Sequence, residues 1–192
     1  MRTAGLTQRH RDTERNTLPC PCAAATTESM RTPADILAQL ARGPDTLRAL
    51  VADVPPADLK RRPIPGKWSA HEHACHLALV EPLWVARLER ILTEDVPTIV
   101  SYEPDEDEPA DRLLAMDLGE AMDSYERERR IFLGRLAQLD PGAWERRAVN
   151  TAHARYSLFL MCRHAALHDM LHIYRVEESA LGTFWPGEGA EI

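Results

Sequence analysis

Apolar residues recur at three- and four-residue intervals through most of the chain, which is the pattern of amphipathic helices that share a core. The first such segment has a clear beginning, since Thr32 can cap a helix and Pro33 suits its first turn. Its apolar face consists of Ile36, Leu37, Leu40, Leu47, Leu50 and Val51. Gly43 and Pro44 lie inside this segment and predict an interruption with a kink.

A stronger start signal precedes the second segment. Ser69 is followed three residues later by Glu72, the spacing of a capping box. We expect this helix to continue to about Leu92, with a local bend at Pro82 because proline removes one backbone hydrogen bond.

Two further helices complete the pattern. One is predicted over roughly residues 111–139, and the last over roughly residues 157–181, where Gly182 can end it. No segment alternates apolar and polar residues for long enough to indicate a strand. Four long amphipathic helices in one chain predict an all-α protein with a four-helix bundle.

The beginning of the chain follows a different pattern. Residues 1–30 show no helical periodicity, and we interpret them as a flexible N-terminal extension ahead of a bundle domain at 31–192. Cys20 and Cys22 lie in this extension. They could clip a metal ion, but without a nearby histidine or further cysteine we prefer free thiols in a flexible tail.

Charge and hydropathy narrow the classes of partner. The formal net charge is −7, which argues against a nucleic-acid-binding face, since such faces are basic. No apolar run approaches the roughly 18 residues of a membrane span, and the N-terminus lacks the apolar centre of a secretory signal. We therefore expect a cytoplasmic protein whose partners are small molecules or other proteins, with no membrane or nucleic-acid contact.

Histidines form two short clusters, one on the second and one on the last predicted helix. His168 and His172 are four residues apart and lie within the apolar stripe of their helix. Buried neutral imidazoles need partners, and a shared metal ion is one way to supply them. If the second helix packs beside the last one, His76 completes a three-histidine site, with His73 as a substitute. The spacing alone leaves ordinary hydrogen-bonded core histidines as an equal alternative, which we prefer for His164.

Two stretches of the sequence resemble the DinB/YfiT-like superfamily of bacterial four-helix bundles. They are "GKWSAHEHACHLALVE" at 66–81 and "RHAALHDMLHIYRVEE" at 163–178. The matching positions are Trp68, Ser69, Glu72, His76, Leu77, Glu81, His168, Asp169 and His172. The resemblance covers about residues 32–181 and implies a divalent metal ion held by His76, His168 and His172. Arg175 stands where some members carry glutamine.

The implied ligand set suggests chemistry as well as binding. Three imidazoles leave a coordination position open, as catalytic zinc sites do, and histidine nitrogens suit zinc or nickel. A metal ion at such a site activates water or a thiol. We therefore expect a thiol S-transferase or a hydrolase acting on a small molecule, with a low-molecular-weight thiol as a candidate partner.

Three carboxylates are candidates for supporting this chemistry. Glu72 could bond a ligand ring or the bound water, Asp169 could orient a neighbouring imidazole, and Glu81 could accept a proton. Glu72 is equally a capping residue, and for Glu81 and Asp169 we prefer ordinary charges on the helix surface. The alternative function is a non-catalytic interaction or stress protein that keeps the bundle and a structural metal. A homodimer is a further expectation for this type of bundle.

Overall fold

Four long helices dominate the structure, a computed structural model that describes residues 30–101, 109 and 111–182. They are α1 (Pro33–Asp53), α2 (Ala70–Thr93), α4 (Leu118–Leu136) and α5 (Leu158–Leu181), and α3 is a single turn at Arg112–Ala115. A 3-10 turn follows at Ala143–Glu145. The all-α four-helix bundle is confirmed. The predicted extension, with Cys20 and Cys22, lies outside the described residues up to residue 29, and the domain division stays a prediction.

The helices begin where side chains can satisfy free backbone N–H groups. Thr32 Oγ1 accepts from Asp35 N at 3.2 Å, and Asp35 Oδ2 accepts from Thr32 N at 2.9 Å. The predicted capping box is present at α2, where Ser69 Oγ accepts from Glu72 N at 3.3 Å and Glu72 Oε2 accepts from Ser69 N at 2.8 Å. These bonds fix both helix starts. Pro44 and Pro82 lie inside α1 and α2, but neither proline ends its helix, so the predicted interruption of α1 is wrong.

The predicted third helix is divided in two. Met116 takes an extended conformation, with φ −66° and ψ 148°, and separates α3 from α4. Asp117 then caps α4, because its Oδ1 accepts from Glu120 N at 2.8 Å. Aspartate competes for backbone N–H groups at helix starts, and this capping bond replaces the continuous helix that the apolar spacing predicted.

Two very short strands tie the connections together at one end of the bundle. β1 (Thr98–Ile99) pairs in parallel with β2 (Val149–Asn150). Two residues cannot display an alternating pattern, so periodicity could not predict these strands. The pairing brings the connection after α2 beside the connection before α5.

The long helices are arranged so that α2 lies between α4 and α5, while α1 packs against α5 and α4 on the other side. Ion pairs from Glu81 to Arg129 and from Glu89 to Arg135 show that α2 and α4 run parallel. Contacts of His73 with His172 and of His76 with His168 show that α2 and α5 run antiparallel. Within the described residues, every helix is too short or too polar to span a bilayer.

The apolar core forms two clusters along the bundle axis. One includes Leu40, Trp84, Phe132 and Ala166, and the other includes Leu47, Ala78, Tyr125 and Ile173. The positions between them on the four helices are Gly43, Glu81, Arg129 and Asp169. A buried charged layer therefore separates two apolar halves of the core.

Candidate metal centre

Three histidine side chains converge between α2 and α5. His76, His168 and His172 each offer a ring nitrogen, and these atoms all lie within 4.8 Å of one another. The Nε2 atoms of His76 and His168 are 3.2 Å apart, and the ring centroids of His168 and His172 are 4.4 Å apart. The four-residue spacing on α5 and the antiparallel packing of α2 produce this cluster.

The spacing of these nitrogens fits a shared metal ion. Zinc–nitrogen bonds in a tetrahedral site are about 2.0–2.1 Å long, which sets two ligand nitrogens about 3.4 Å apart. The 3.2 Å between His76 Nε2 and His168 Nε2 is close to that value. The donor set of three imidazoles therefore suits zinc, nickel or a similar divalent ion.

His73 does not take the role of a substitute metal ligand that the sequence indicated. Its Nδ1 lies 2.8 Å from Nδ1 of His172, so it orients that ring and leaves His172 Nε2 for a ligand. Trp68 covers the same side of the cluster, with its ring centroid 4.8 Å from that of His76. His71 points away, and its Nε2 bonds the carbonyl oxygen of Met116 at 3.1 Å.

Burial keeps the clustered imidazoles neutral. It lowers the pKa of His73, His76 and His168 to about 4, and neighbouring charges add to the effect. The pKa of His172 falls to about 2, because burial is reinforced by His168 and His76. Neutral imidazole is the form that binds metal ions. The site is therefore ready to take up a cation near neutral pH without first losing protons.

The carboxylate of Glu72 forms its hydrogen bonds at the start of α2. Besides its capping bonds with Ser69, its two carboxylate oxygens accept from Arg62 Nε at 3.1 and 3.0 Å. Burial raises the pKa of Glu72, but the bonds from Arg62 and Ser69 outweigh it and leave the pKa lowered. The described hydrogen bonds of this carboxylate thus serve the helix start, and its predicted catalytic role stays a prediction.

Glu81 and Asp169 meet a buried arginine that the sequence analysis missed. Arg129 donates to Glu81 from Nε and Nη2 at 2.6 and 2.7 Å, and to Asp169 from Nη1 and Nη2 at 2.5 and 3.1 Å. It also donates to the Leu40 carbonyl at 2.9 Å. Burial raises the pKa of both carboxyls, and Arg129 opposes that rise. These carboxylates are therefore buried ion-pair partners and not the surface charges that we preferred from the sequence.

The proposed orientation of an imidazole by Asp169 also stays a prediction. The described hydrogen bonds of Asp169 go to Arg129, and His168 Nδ1 is buried without a hydrogen-bond partner among the described residues. No hydrogen bond joins Asp169 to His168 within the described residues. The role of Glu81 as a proton acceptor likewise stays a prediction.

A cavity of about 270 Å³ opens beside the histidine cluster, on the side away from Trp68. The helices contribute His76, Trp84 and Arg87 from α2, and His164 and His168 from α5. The connections contribute Ser101, Asn150, His153 and Tyr156. The spacing pattern could not indicate the last four, because the β1–β2 pairing brings their segments together. His164 lies outside the three-histidine cluster, but it is an exposed wall residue and not the hydrogen-bonded core histidine that we preferred from the sequence.

The fold and the cluster define a four-helix-bundle protein with a buried histidine site open to a cavity. A family model described as the DinB superfamily matches residues 39–184, and the chain belongs to this superfamily. Among solved structures it is similar to YfiT from Bacillus subtilis, with a TM-score of 0.69 and 18% sequence identity, over 79% of this chain and 89% of that one. YfiT is described as a probable metal-dependent hydrolase with an unusual four-helix bundle topology. Among curated proteins, none matches this sequence.

Proposed function

We propose that this protein is a divalent-metal-dependent enzyme whose ligands are His76, His168 and His172. The observation that carries the proposal is the convergence of three neutral imidazoles beside a cavity large enough for a small molecule. Structural zinc sites are usually closed by four protein ligands, whereas three ligands leave a position open for water or substrate. The description of YfiT as a probable metal-dependent hydrolase gives independent support.

The reaction class follows from what the chain provides around the cluster. A divalent ion held there would supply Lewis acidity, which lowers the pKa of a water or thiol molecule. His73 holds the His172 ring in place, and Trp68 covers one side, so the substrate approaches from the cavity. We favour hydrolysis of a small molecule, with transfer of a low-molecular-weight thiol to an electrophile, whose leaving group it displaces, as the second reaction to test.

Metal analysis tests the ligand set directly. Wild-type protein purified without chelators should contain about one divalent ion per chain, and His168→Ala should lose it because two ligands hold a cation weakly. His164→Ala is the matched control, since it removes a histidine of the same helix from outside the cluster. Equal metal content in wild type and His168→Ala would contradict the proposal.

Turnover separates an enzyme from a non-catalytic metal protein. Zinc- and nickel-loaded samples should accelerate the hydrolysis of an ester and amide panel, or thiol loss with chlorodinitrobenzene, relative to His168→Ala. A metal ion that raises the melting temperature without any turnover would instead support the interaction protein.

Other features belong to the proposal as well. Glu72, Glu81 and Asp169 act in it as positioning residues, because they fix the start of α2 and the packing of α2 and α5 around the site. A cytoplasmic location and a homodimer complete it, and size-exclusion chromatography with light scattering tests the dimer.

A further inference from the structure

Arg87 is the charged side chain on the wall of the cavity. It is half-buried, its guanidinium lies 5.1 Å from the centroid of the Trp84 ring, and its Nη2 donates to the Val100 carbonyl at 3.1 Å. Among the described residues it has no carboxylate partner, whereas on α4 Arg129 has two and Arg135 has one. A half-buried guanidinium beside an open cavity is a binding group for an anion.

Other groups on the same wall are hydrogen-bond donors with unused capacity. Asn150 Oδ1 accepts from Ser101 Oγ at 3.3 Å, from Ala152 N at 2.8 Å and from His153 N at 3.1 Å. Its oxygen is thus occupied, while its amide nitrogen has no acceptor among the described residues. The buried Trp84 Nε1 likewise has none in the described part of the chain. The wall therefore offers donors and calls for a ligand rich in acceptors.

The charges of the residues that line the cavity also favour an anionic ligand. The described lining residues include an arginine and histidines but no aspartate or glutamate. Burial lowers the pKa of His164, and His153 and Arg87 lower it further, as expected where the local potential is positive. Such a cavity favours an organic anion over an organic cation.

We propose that the cavity binds a small organic carboxylate, with its charged group on Arg87 and Asn150 and its uncharged part directed to the histidine cluster. This inference rests on the proposed function in taking the cavity as the substrate site. The volume of about 270 Å³ is close to the lower end of the roughly 300–1,000 Å³ of small-molecule sites, which suits a small ligand. Val80 and Leu83 supply an apolar surface for the body of the ligand.

Benzoate and its neutral analogue benzamide are suitable probes, because they share size and shape and differ in charge. Isothermal titration of the metal-loaded protein should show benzoate binding roughly ten- to a hundredfold more tightly, as expected for one charge-assisted hydrogen-bonded contact. Arg87→Gln should remove that preference and leave benzamide affinity unchanged, and Arg87→Lys should retain part of it. Arg163→Gln is the matched control, since Arg163 also lies over an aromatic ring, Phe159, but is not on the cavity wall.

Repeating the titrations on chelator-treated protein separates the two proposals. Benzoate binding that depends on Arg87 but persists without metal supports the carboxylate site, even if metal analysis refutes the proposed function. Equal affinity for benzoate and benzamide, no binding of benzoate, or benzoate binding that survives Arg87→Gln would each overturn the inference, whatever the metal content.

Discussion

Arg129 is the side chain on which the centre of the bundle depends. It is 1% exposed and joins α4 to α2 through Glu81, to α5 through Asp169 and to α1 through the Leu40 carbonyl. Its guanidinium also lies 4.9 Å from the centroid of the Tyr125 ring. Buried charges are costly unless they are fully paired, so the four helices must keep one register to satisfy this group.

Replacing Arg129 should therefore destabilise the fold strongly. Arg129→Met leaves two buried carboxylates without a cation, and we expect it to lower the free energy of unfolding by about 3–5 kcal/mol in urea denaturation. Arg130→Met is the control, because Arg130 is 71% exposed and pairs with Glu126 at the surface, where such pairs contribute about 0–1 kcal/mol. Similar losses in the two variants would show that the buried layer does not stabilise the bundle.

Gly43 is required by close packing at the same layer. A Cβ atom there would lie 2.8 Å from Tyr125 Oη and 3.2 Å from both Arg129 Nη1 and Asp169 Oδ2. We expect Gly43→Ala to lower the free energy of unfolding by about 1–3 kcal/mol, and Tyr125→Phe to recover part of that loss by removing the nearest atom. A Cβ atom at Gly134, an exposed position of α4, would meet no atom within 4 Å, so Gly134→Ala should stabilise the fold by about 0.5–1 kcal/mol. A neutral Gly43→Ala in the same denaturation series would contradict this account.

At the scale of single residues, the sequence identified the histidines and missed what surrounds them. His76, His168 and His172 were predictable because helical spacing and the family resemblance point to the same positions. Arg129 carried a usable signal, since it lies four residues after Tyr125 and three before Phe132, inside an apolar stripe. The cavity wall around Arg87 had no comparable signal in the sequence, because Asn150 and Tyr156 belong to a connection that is distant in the chain.

At the scale of elements, the junction between α3 and α4 shows how a local bond overrides periodicity. The apolar spacing continues across Met116, but the Asp117 capping bond and the extended Met116 backbone divide the helix. The other long helices matched their predicted bounds within a few residues, because their caps and apolar faces agree. Where the two kinds of signal conflicted, the cap prevailed.

The cap at α4 can be tested by substitution. Asp117→Ala removes the acceptor for Glu120 N and should lower the free energy of unfolding by about 1 kcal/mol. Asp117→Ser retains a capping oxygen and should cost only a few tenths of a kcal/mol. Chemical denaturation followed by circular dichroism measures both. Equal losses for Ala and Ser would mean that the charge of Asp117, and not its capping bond, matters.

At the scale of the whole molecule, the histidine cluster makes stability depend on acidity. The folded-state pKa of His73, His76 and His168 is about 4, well below the unfolded value near 6.5. Between these values the unfolded chain binds more protons, so acidification favours unfolding. The metal-free protein should therefore lose stability as the pH falls below about 6.5, and the loss should level off near the folded pKa.

A neutral substitution isolates the contribution of one ring. In His73→Gln, the dependence of the free energy of unfolding on pH between about 6 and 5 should be shallower by roughly 1.4 kcal/mol per pH unit, which corresponds to one proton. Urea denaturation of chelator-treated protein at several pH values measures the slope. A slope unchanged from wild type would show that His73 titrates alike in both states.

The prediction of the whole bundle succeeded because four amphipathic faces leave few ways to bury their apolar surface. Which helices are neighbours was only assumed, through the condition that α2 packs beside α5. That pairing depends on contacts such as those of Arg129 with Glu81 of α2 and Asp169 of α5, whose partners lie far apart in the chain. Periodicity describes one helix at a time and cannot contain this information.

The neighbour relation of α2 and α5 also has a consequence for synthesis. The contacts that build the histidine cluster span 92 and 99 residues. A ribosome adds about 5–20 residues per second, so a nascent chain carries His73 and His76 for roughly five to twenty seconds before α5 is made. Any ion bound by the finished cluster is thus acquired after translation of the last helix, and a chain truncated before that helix has no cluster to load.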